Sequence, residues 1–242
     1  MIHLITGGSA SGKSSYAEQL AVSLDADIRF YIATMRPWGE EGRLRVEKHR
    51  AMRAGKGFET IECYHHLAEV RLDAGGPLPG GGYEKDRVVV LLECMSNLTA
   101  NEQFEAGGTD EEIMERILGG IRHLQKQAGH IIIVTNEVFS DGGKYDEETV
   151  RYLALLGQIN RKLAAMAGRV TEVVYGIPVP VRKNDSTRSG AQGGGTVSDV
   201  WEGGIESGAQ DGGIESDAQD GGTDLADVTG GSMEAGGVSG WN

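Results

Sequence analysis

Residues 2–15 read IHLITGGSASGKSS, and the reading of this stretch decides the fold. An aliphatic run, Ile2 to Thr6, meets two glycines, and an amphipathic run, SSYAEQLAVSL at 14–24, follows. Between them Gly7-x-x-x-x-Gly12-Lys13-Ser14 fits the P-loop pattern in full. The spacing has a physical reason. Glycines let backbone N–H groups wrap an anion without Cβ clashes, and the next helix aims its N-terminus at the same charge. Gly7, Gly8, Ser9, Ala10, Ser11 and Gly12 would line the cradle. Lys13 would reach the β- and γ-phosphates, and Ser14 would hold Mg²⁺. The expected ligand is a nucleoside triphosphate.

Outward from this loop, short aliphatic runs alternate with helical patterns. IRFYIA (28–33), VVVLLE (88–93), IIIVT (131–135) and VTEVVY (170–175) read as further strands. Several are apolar throughout, as in a parallel sheet covered on both faces. TDEEIMERILGGIRHLQKQ (109–127) carries acids in its first turn, with Ile113, Ile117, Ile121 and Leu124 at helical spacing. DEETVRYLALLGQINRKLAAMAG (146–168) repeats the plan with Val150, Leu153, Leu156, Ile159, Leu163 and Met166, and Gly168 is the expected C-cap. The fold class is α/β: a P-loop NTPase-like, doubly wound, mostly parallel sheet with helices on both faces. Ligands in such sheets bind at the C-terminal strand ends. Glu93 closes VVVLLE there, placed to orient Mg²⁺ or its waters, or as an ordinary strand-end acid. VTNEV (134–138) brings Thr135, Asn136 and Glu137 to the same rim.

Charge divides the 242 residues into two parts. Residues 184–242 hold eleven Asp and Glu against one Arg, and 16 of these 59 residues are Gly. Their near-repeats, GGIESGAQD, GGIESDAQD and GGTDLADVT, lack the Gly at position four that a calcium-binding nonapeptide requires. This tail is expected to be disordered. Residues 1–183 form the expected catalytic domain, nearly neutral, without the clustered positive charge of a nucleic-acid-binding surface. DAGGPLPGGGYEKDR (73–87) reads as a surface excursion. Cys63 and Cys94 form no CxxC pair and read as reduced, half-buried thiols. The apolar N-terminal run stops at Thr6 and VVVLL is too short to span a bilayer, so a cytoplasmic protein without membrane segments is expected.

RLRVEKHRAMR (43–53) sets His49 among Arg43, Arg45, Lys48, Arg50 and Arg53. As a helix, it places Arg45, His49 and Arg53 on one face. Guanidinium charge disfavours an imidazolium, and a neutral imidazole is a nucleophile. Spacing alone favours a solvated basic helix.

The chain resembles the bifunctional adenosylcobinamide kinase/adenosylcobinamide-phosphate guanylyltransferase family. The resemblance rests on ITGGSASGKSSYAE, YIAT (31–34), HRAMRAGKGFETIE (49–62), LLECMSNL (91–98), VTNEV and GQINRKLAAMAGRVTEVVYGIPV (157–179), in that order. It implies phosphorylation of adenosylcobinamide by ATP or GTP, then GMP transfer from GTP onto that phosphate through a guanylylated histidine, matched by His49. Lys13 is the other catalytic residue implied. Nucleotide contacts carried over are Gly7 to Ser14, Thr34, Met35, Arg36, Arg50, Ala51, Met52, Arg53, Glu62 and Glu93, with Mg²⁺ on Ser14 and Glu93. The resemblance also implies a homo-trimer acting on a corrinoid. Where the family often has a Gly-Ile-Val-Pro-like stretch after VTNEV, this chain has FSDGGKYDEE (139–148). The alternatives are a P-loop small-molecule kinase without guanylyl transfer and a non-catalytic nucleotide-binding module.

Overall fold

The computed structural model describes residues 1–37, 39–72, 83–138 and 145–183; within these, the side chains of Glu41, Arg45, Lys48, His49 and Met52 lie outside the description. The expected tail, most of the 73–87 loop and residues 139–144 therefore also lie outside the described residues.

Seven strands form one sheet: β1 (Ile2–Thr6), β2 (Ile28–Ala33), β3 (Phe58–Glu62), β4 (Val88–Glu93), β5 (His130–Val134), β6 (Arg169–Val174) and β7 (Ile177–Lys183). Their order is β3-β2-β4-β5-β1-β6-β7. All neighbours run parallel except β6 and β7, which pair antiparallel. Helices α1 (Lys13–Ser23), α2 (Gly39–Arg53), α3 (Met95–Asn101), α4 (Asp110–Gln127) and α5 (Glu147–Met166) connect them. The expected doubly wound α/β fold is the observed one.

The apolar strands are buried from both sides, which is why their sequences do not alternate. On one face Leu4, Phe30, Ile32, Val90, Leu92, Ile131 and Ile133 meet Ile113, Ile117, Ile121 and Leu124 of α4 and Leu155, Leu156, Ile159 and Leu163 of α5. On the other, Ile5, Tyr31, Val89, Leu91, Ile132 and Val134 meet Ala17, Leu20 and Ala21 of α1. Each buried Val, Leu, Ile or Phe among these contributes about 1.5–3 kcal/mol. Ala17 and Ala21 are fully buried, and their small size lets α1 lie close on the sheet, which aims its N-terminus at the strand ends. The start of α4 is fixed by a capping box: Thr109 accepts from the Glu112 N–H, and the Glu112 carboxylate accepts from the Thr109 N–H.

Several expectations need correction. Strands β5 and β6 each begin and end one residue earlier than their aliphatic runs suggest. Val150 is 53% exposed, because the first turn of α5 overhangs the core. Gly168 is no left-handed C-cap: α5 ends at Met166, Ala167 is extended, and the Gly168 N–H donates to the Ile2 carbonyl as the chain enters β6. Both cysteines are free and buried rather than half-buried. Among the described residues no helix is long and apolar enough to cross a membrane.

Candidate active site

Parallel strands deliver their C-terminal ends to one edge. The register sets Ile5, Val134, Glu93 and Ala33 in a row across β1, β5, β4 and β2. Everything that follows these four residues gathers at a single rim.

The glycine loop leaves β1 at this rim. A Cβ on Gly7 would lie 2.5 Å from the Val173 carbonyl oxygen, so the close approach of loop to β6 requires glycine there. Gly12, at φ +91°, turns the chain into α1 in a conformation that other residues rarely adopt. The loop is anchored from both sides: Glu137 N–H donates to the Gly7 carbonyl (3.1 Å), and Gly176 N–H donates to that of Ser11 (2.8 Å). Lys13 is buried, and its ammonium donates to the Gly8 carbonyl at 2.9 Å, folding the side chain back over the loop. Burial holds this ammonium below its ordinary pKa, opposed by nearby Cys94 and Glu93.

Ser14, in the first turn of α1 after β1, meets Glu93 at the end of β4 although β5 lies between β1 and β4: the Ser14 hydroxyl donates to Glu93 Oε1. The other carboxylate oxygen, Oε2, accepts from the Tyr31 hydroxyl at 3.0 Å. Burial, followed by the Glu93 charge, raises the Tyr31 pKa far above the usual phenol range, so this hydroxyl remains a donor. On the Tyr31 ring sits Arg53, its guanidinium carbon 3.5 Å from the centroid. Arg53 is 7% exposed, and its Nε and Nη1 have no hydrogen-bond partner. The solvated basic helix expected from spacing is thus found at Arg43 and Arg50 and fails at Arg53, which turns inward.

Beyond the strand ends, Thr34 ties β2 to β4. Its hydroxyl donates to the Cys94 carbonyl (2.8 Å) and accepts from the Cys94 N–H (2.7 Å). Asn101 donates to the carbonyls of Thr34 and Tyr64, both at 2.9 Å. Arg36 pairs with Glu105 at 2.8 Å and lies over the Tyr64 ring. Arg50 pairs with Glu62 at 2.7 Å, and Glu62 also accepts from the Tyr64 hydroxyl. Asn136 donates to the Ser96 hydroxyl at 2.7 Å, and Thr135 donates to Asn160 at 2.9 Å.

The structure thus brings together Gly7 to Ser14, Thr34, Arg53 and Glu93. Arg50 and Glu62 form a separate, exposed pair with each other, Met35 is partly exposed, and Ala51 faces solvent. The side chains of His49 and Met52 lie outside the described residues; the backbone places His49 in α2, one turn before Arg53. Sequence reasoning missed Tyr31, Tyr64, Ser96 and Asn101. Tyr31 stood in a strand, IRFYIA, whose central run is apolar without alternation, so nothing marks which face it takes. A groove of about 630 Å³, lined in part by Leu4, Thr6, Thr135, Gly157 and Val170, runs between β1 and α5, on the face away from α1.

A glycine loop between β1 and α1, a buried lysine in it, and a strand-end carboxylate reached across an intervening strand define an α/β protein of the P-loop class. Residues 3–181 match one particular family within that class, and the chain belongs to it: the cobinamide kinase / cobinamide phosphate guanyltransferase family. The bifunctional adenosylcobalamin biosynthesis protein CobU of Escherichia coli is 32% identical over 193 residues, covering all of that protein and 75% of this chain. CobU of Salmonella typhimurium is 31% identical over 193 residues, with the same coverage. The bifunctional adenosylcobalamin biosynthesis protein CobP of Pseudomonas aeruginosa is 28% identical over 186 residues, covering 98% of that protein and 75% of this chain.

Proposed function

We propose that this chain phosphorylates the aminopropanol hydroxyl of adenosylcobinamide, then transfers GMP from GTP to that phosphate through His49, giving adenosylcobinamide-GDP. The observation that carries the reading is the family match over nearly the whole described domain, on a chain whose α2 bears His49 one turn before a buried, incompletely paired Arg53.

The residues suit the chemistry. The loop N–H groups and the start of α1 would bind the phosphates, with Lys13 leaving the Gly8 carbonyl for a phosphate oxygen. Ser14 and Glu93 offer a hydroxyl and a carboxylate in direct contact, the hard oxygen donors that Mg²⁺ prefers. Bound there with the nucleotide, Mg²⁺ would neutralise phosphate charge. In the transfer half-reaction the neutral imidazole of His49 attacks the α-phosphorus. A P–N bond forms, the bond to the bridging oxygen breaks, pyrophosphate leaves and the imidazole gives up its proton. An oxygen of adenosylcobinamide phosphate then attacks the same phosphorus, breaking the P–N bond and restoring His49. Arg53 stabilises charge on the transferring group.

The test is covalent labelling. The chain incubated with GTP labelled at its α-phosphate is expected to take up acid-labile, base-stable label, which adenosylcobinamide phosphate discharges. His49→Ala is expected to take up none. A wild-type chain that stays unlabelled while passing γ-phosphate to adenosylcobinamide would reduce the function to a kinase.

A further inference from the structure

We infer that Tyr31 is a positioning residue with two separable roles: its hydroxyl orients the Glu93 carboxylate beside Ser14, and its ring carries the Arg53 guanidinium. Identifying the groups these two serve, a metal-bound nucleotide and its phosphate, rests on the reading proposed above.

Three observations converge on this side chain. First, the hydroxyl bonds Glu93 Oε2 while Ser14 bonds Oε1, so the carboxylate is held at both oxygens and cannot swing. Second, the ring is 3% exposed and packs edge-on against Phe58, with centroids 6.2 Å apart. A phenylalanine would fill that space equally well, so packing gives no reason for the hydroxyl. Third, Arg53 sits over the ring, its guanidinium carbon 3.5 Å from the centroid, yet leaves Nε and Nη1 unpartnered while buried. A buried cation without hydrogen-bond partners is costly unless an anion completes it. A phosphate oxygen is an acceptor and an anion that such a buried guanidinium N–H can take. One side chain therefore joins two parts of the site that the sequence keeps far apart: the loop-and-acid side, from β1 and β4, and the α2 side, which bears His49.

The experiment titrates binding of a fluorescent GTP analogue against Mg²⁺, with no acceptor and no transfer needed. Y31F removes the hydroxyl and keeps the ring. It is expected to raise the Mg²⁺ concentration for half-maximal binding about tenfold, as loss of a group that orients a metal ligand does, and to keep affinity at saturating Mg²⁺ close to wild type. Y31L removes both groups and is expected to add a loss of affinity of about tenfold at saturating Mg²⁺. R53Q is expected to share the second loss without the first. If Y31L does not fold, fluorinated phenylalanines incorporated in place of Tyr31 drain the ring face at nearly constant size, and affinity should fall stepwise with fluorination.

A Y31F titration identical to wild type overturns the hydroxyl role. Equal affinities for Y31L and Y31F at saturating Mg²⁺, or a flat fluorination series, overturn the ring role. A wild-type chain whose GTP binding ignores Mg²⁺ overturns the hydroxyl role as well. Failure of guanylyl transfer is a different result, seen as bound GTP without covalent label, and the Tyr31 titrations are read regardless of it.

Discussion

Glu18 lies on α1 with no exposed surface at all, one carboxylate oxygen 2.6 Å from the Lys56 ammonium and the other without a partner. Lys56 follows the end of α2, where its N–H donates to the Arg53 carbonyl at 3.0 Å. This pair therefore ties the helix behind the phosphate loop to the helix that carries His49. Lys56→Met removes the cation and strands a buried carboxylate. Breaking such pairs costs about 3–5 kcal/mol. The Lys56 side chain is 35% exposed, so water already screens its end of the pair, and the lower edge, about 3 kcal/mol, is the expected loss. The partner substitution separates stranded charge from lost packing. Glu18→Leu together with Lys56→Met leaves nothing charged in the pocket and is expected to return to within about 1 kcal/mol of wild type. Urea unfolding followed by circular dichroism, with m-values compared, measures both. A single Lys56 variant within about 0.5 kcal/mol of wild type, or a double variant as unstable as the single, would refute the reasoning.

Other expectations follow from the same geometry. Gly7→Ala forces a methyl onto the Val173 carbonyl and is expected to weaken GTP binding at least tenfold and to cost about 2 kcal/mol of stability, read by titration and melting. Ser14→Ala removes a proposed Mg²⁺ donor and is expected to raise the Mg²⁺ requirement for GTP binding by about tenfold or more. Burial, aided by Arg169, pushes the His3 imidazole down to about 4, and it stays neutral against the Thr171 hydroxyl. The unfolded chain takes up this proton near pH 6.5 and the folded chain only near pH 4. Its stabilisation is thus complete above pH 6.5 and is lost as pH falls to about 4, by about 3 kcal/mol in all. Wild type should lose that much more stability than His3→Gln between pH 7 and pH 4, measured by urea midpoints.

Those parts of the fold that depend on local pattern were legible. The P-loop is defined by contiguous residues, and five strands and two long helices announce themselves by apolar runs and helical spacing. Two strands were not. FETIE of β3 is an edge strand with mostly intermediate or exposed residues, so it lacks an apolar run. IPVPVRK of β7 contains Pro178 and Pro180, which argue against a strand anywhere except an edge, and its place is the edge beyond β6. At the site, Glu93 was legible because a strand ends on it. That it meets Ser14 came from the resemblance, which sets Mg²⁺ on both, and not from the residues themselves, since the strand order with β5 between β4 and β1 is not written in them. Nor was the inward turn of Arg53 legible: Arg43 and Arg50 on the same helix carry the same charge and face solvent, and the Tyr31 ring distinguishes its position.

The Gly176 N–H that holds the Ser11 carbonyl belongs to the turn between β6 and β7, and the Val173 carbonyl presses on Gly7 from the strand before it. The phosphate loop is thus braced by residues more than 160 positions later in the chain. On a ribosome, its motif emerges well before the residues that finish it. A nascent chain that has displayed its glycines, Lys13 and even Glu93 still lacks the brace that gives the loop its shape. Nucleotide capture therefore reports completion of the β6–β7 hairpin, and chains cut short before it would carry the signature sequence without the site.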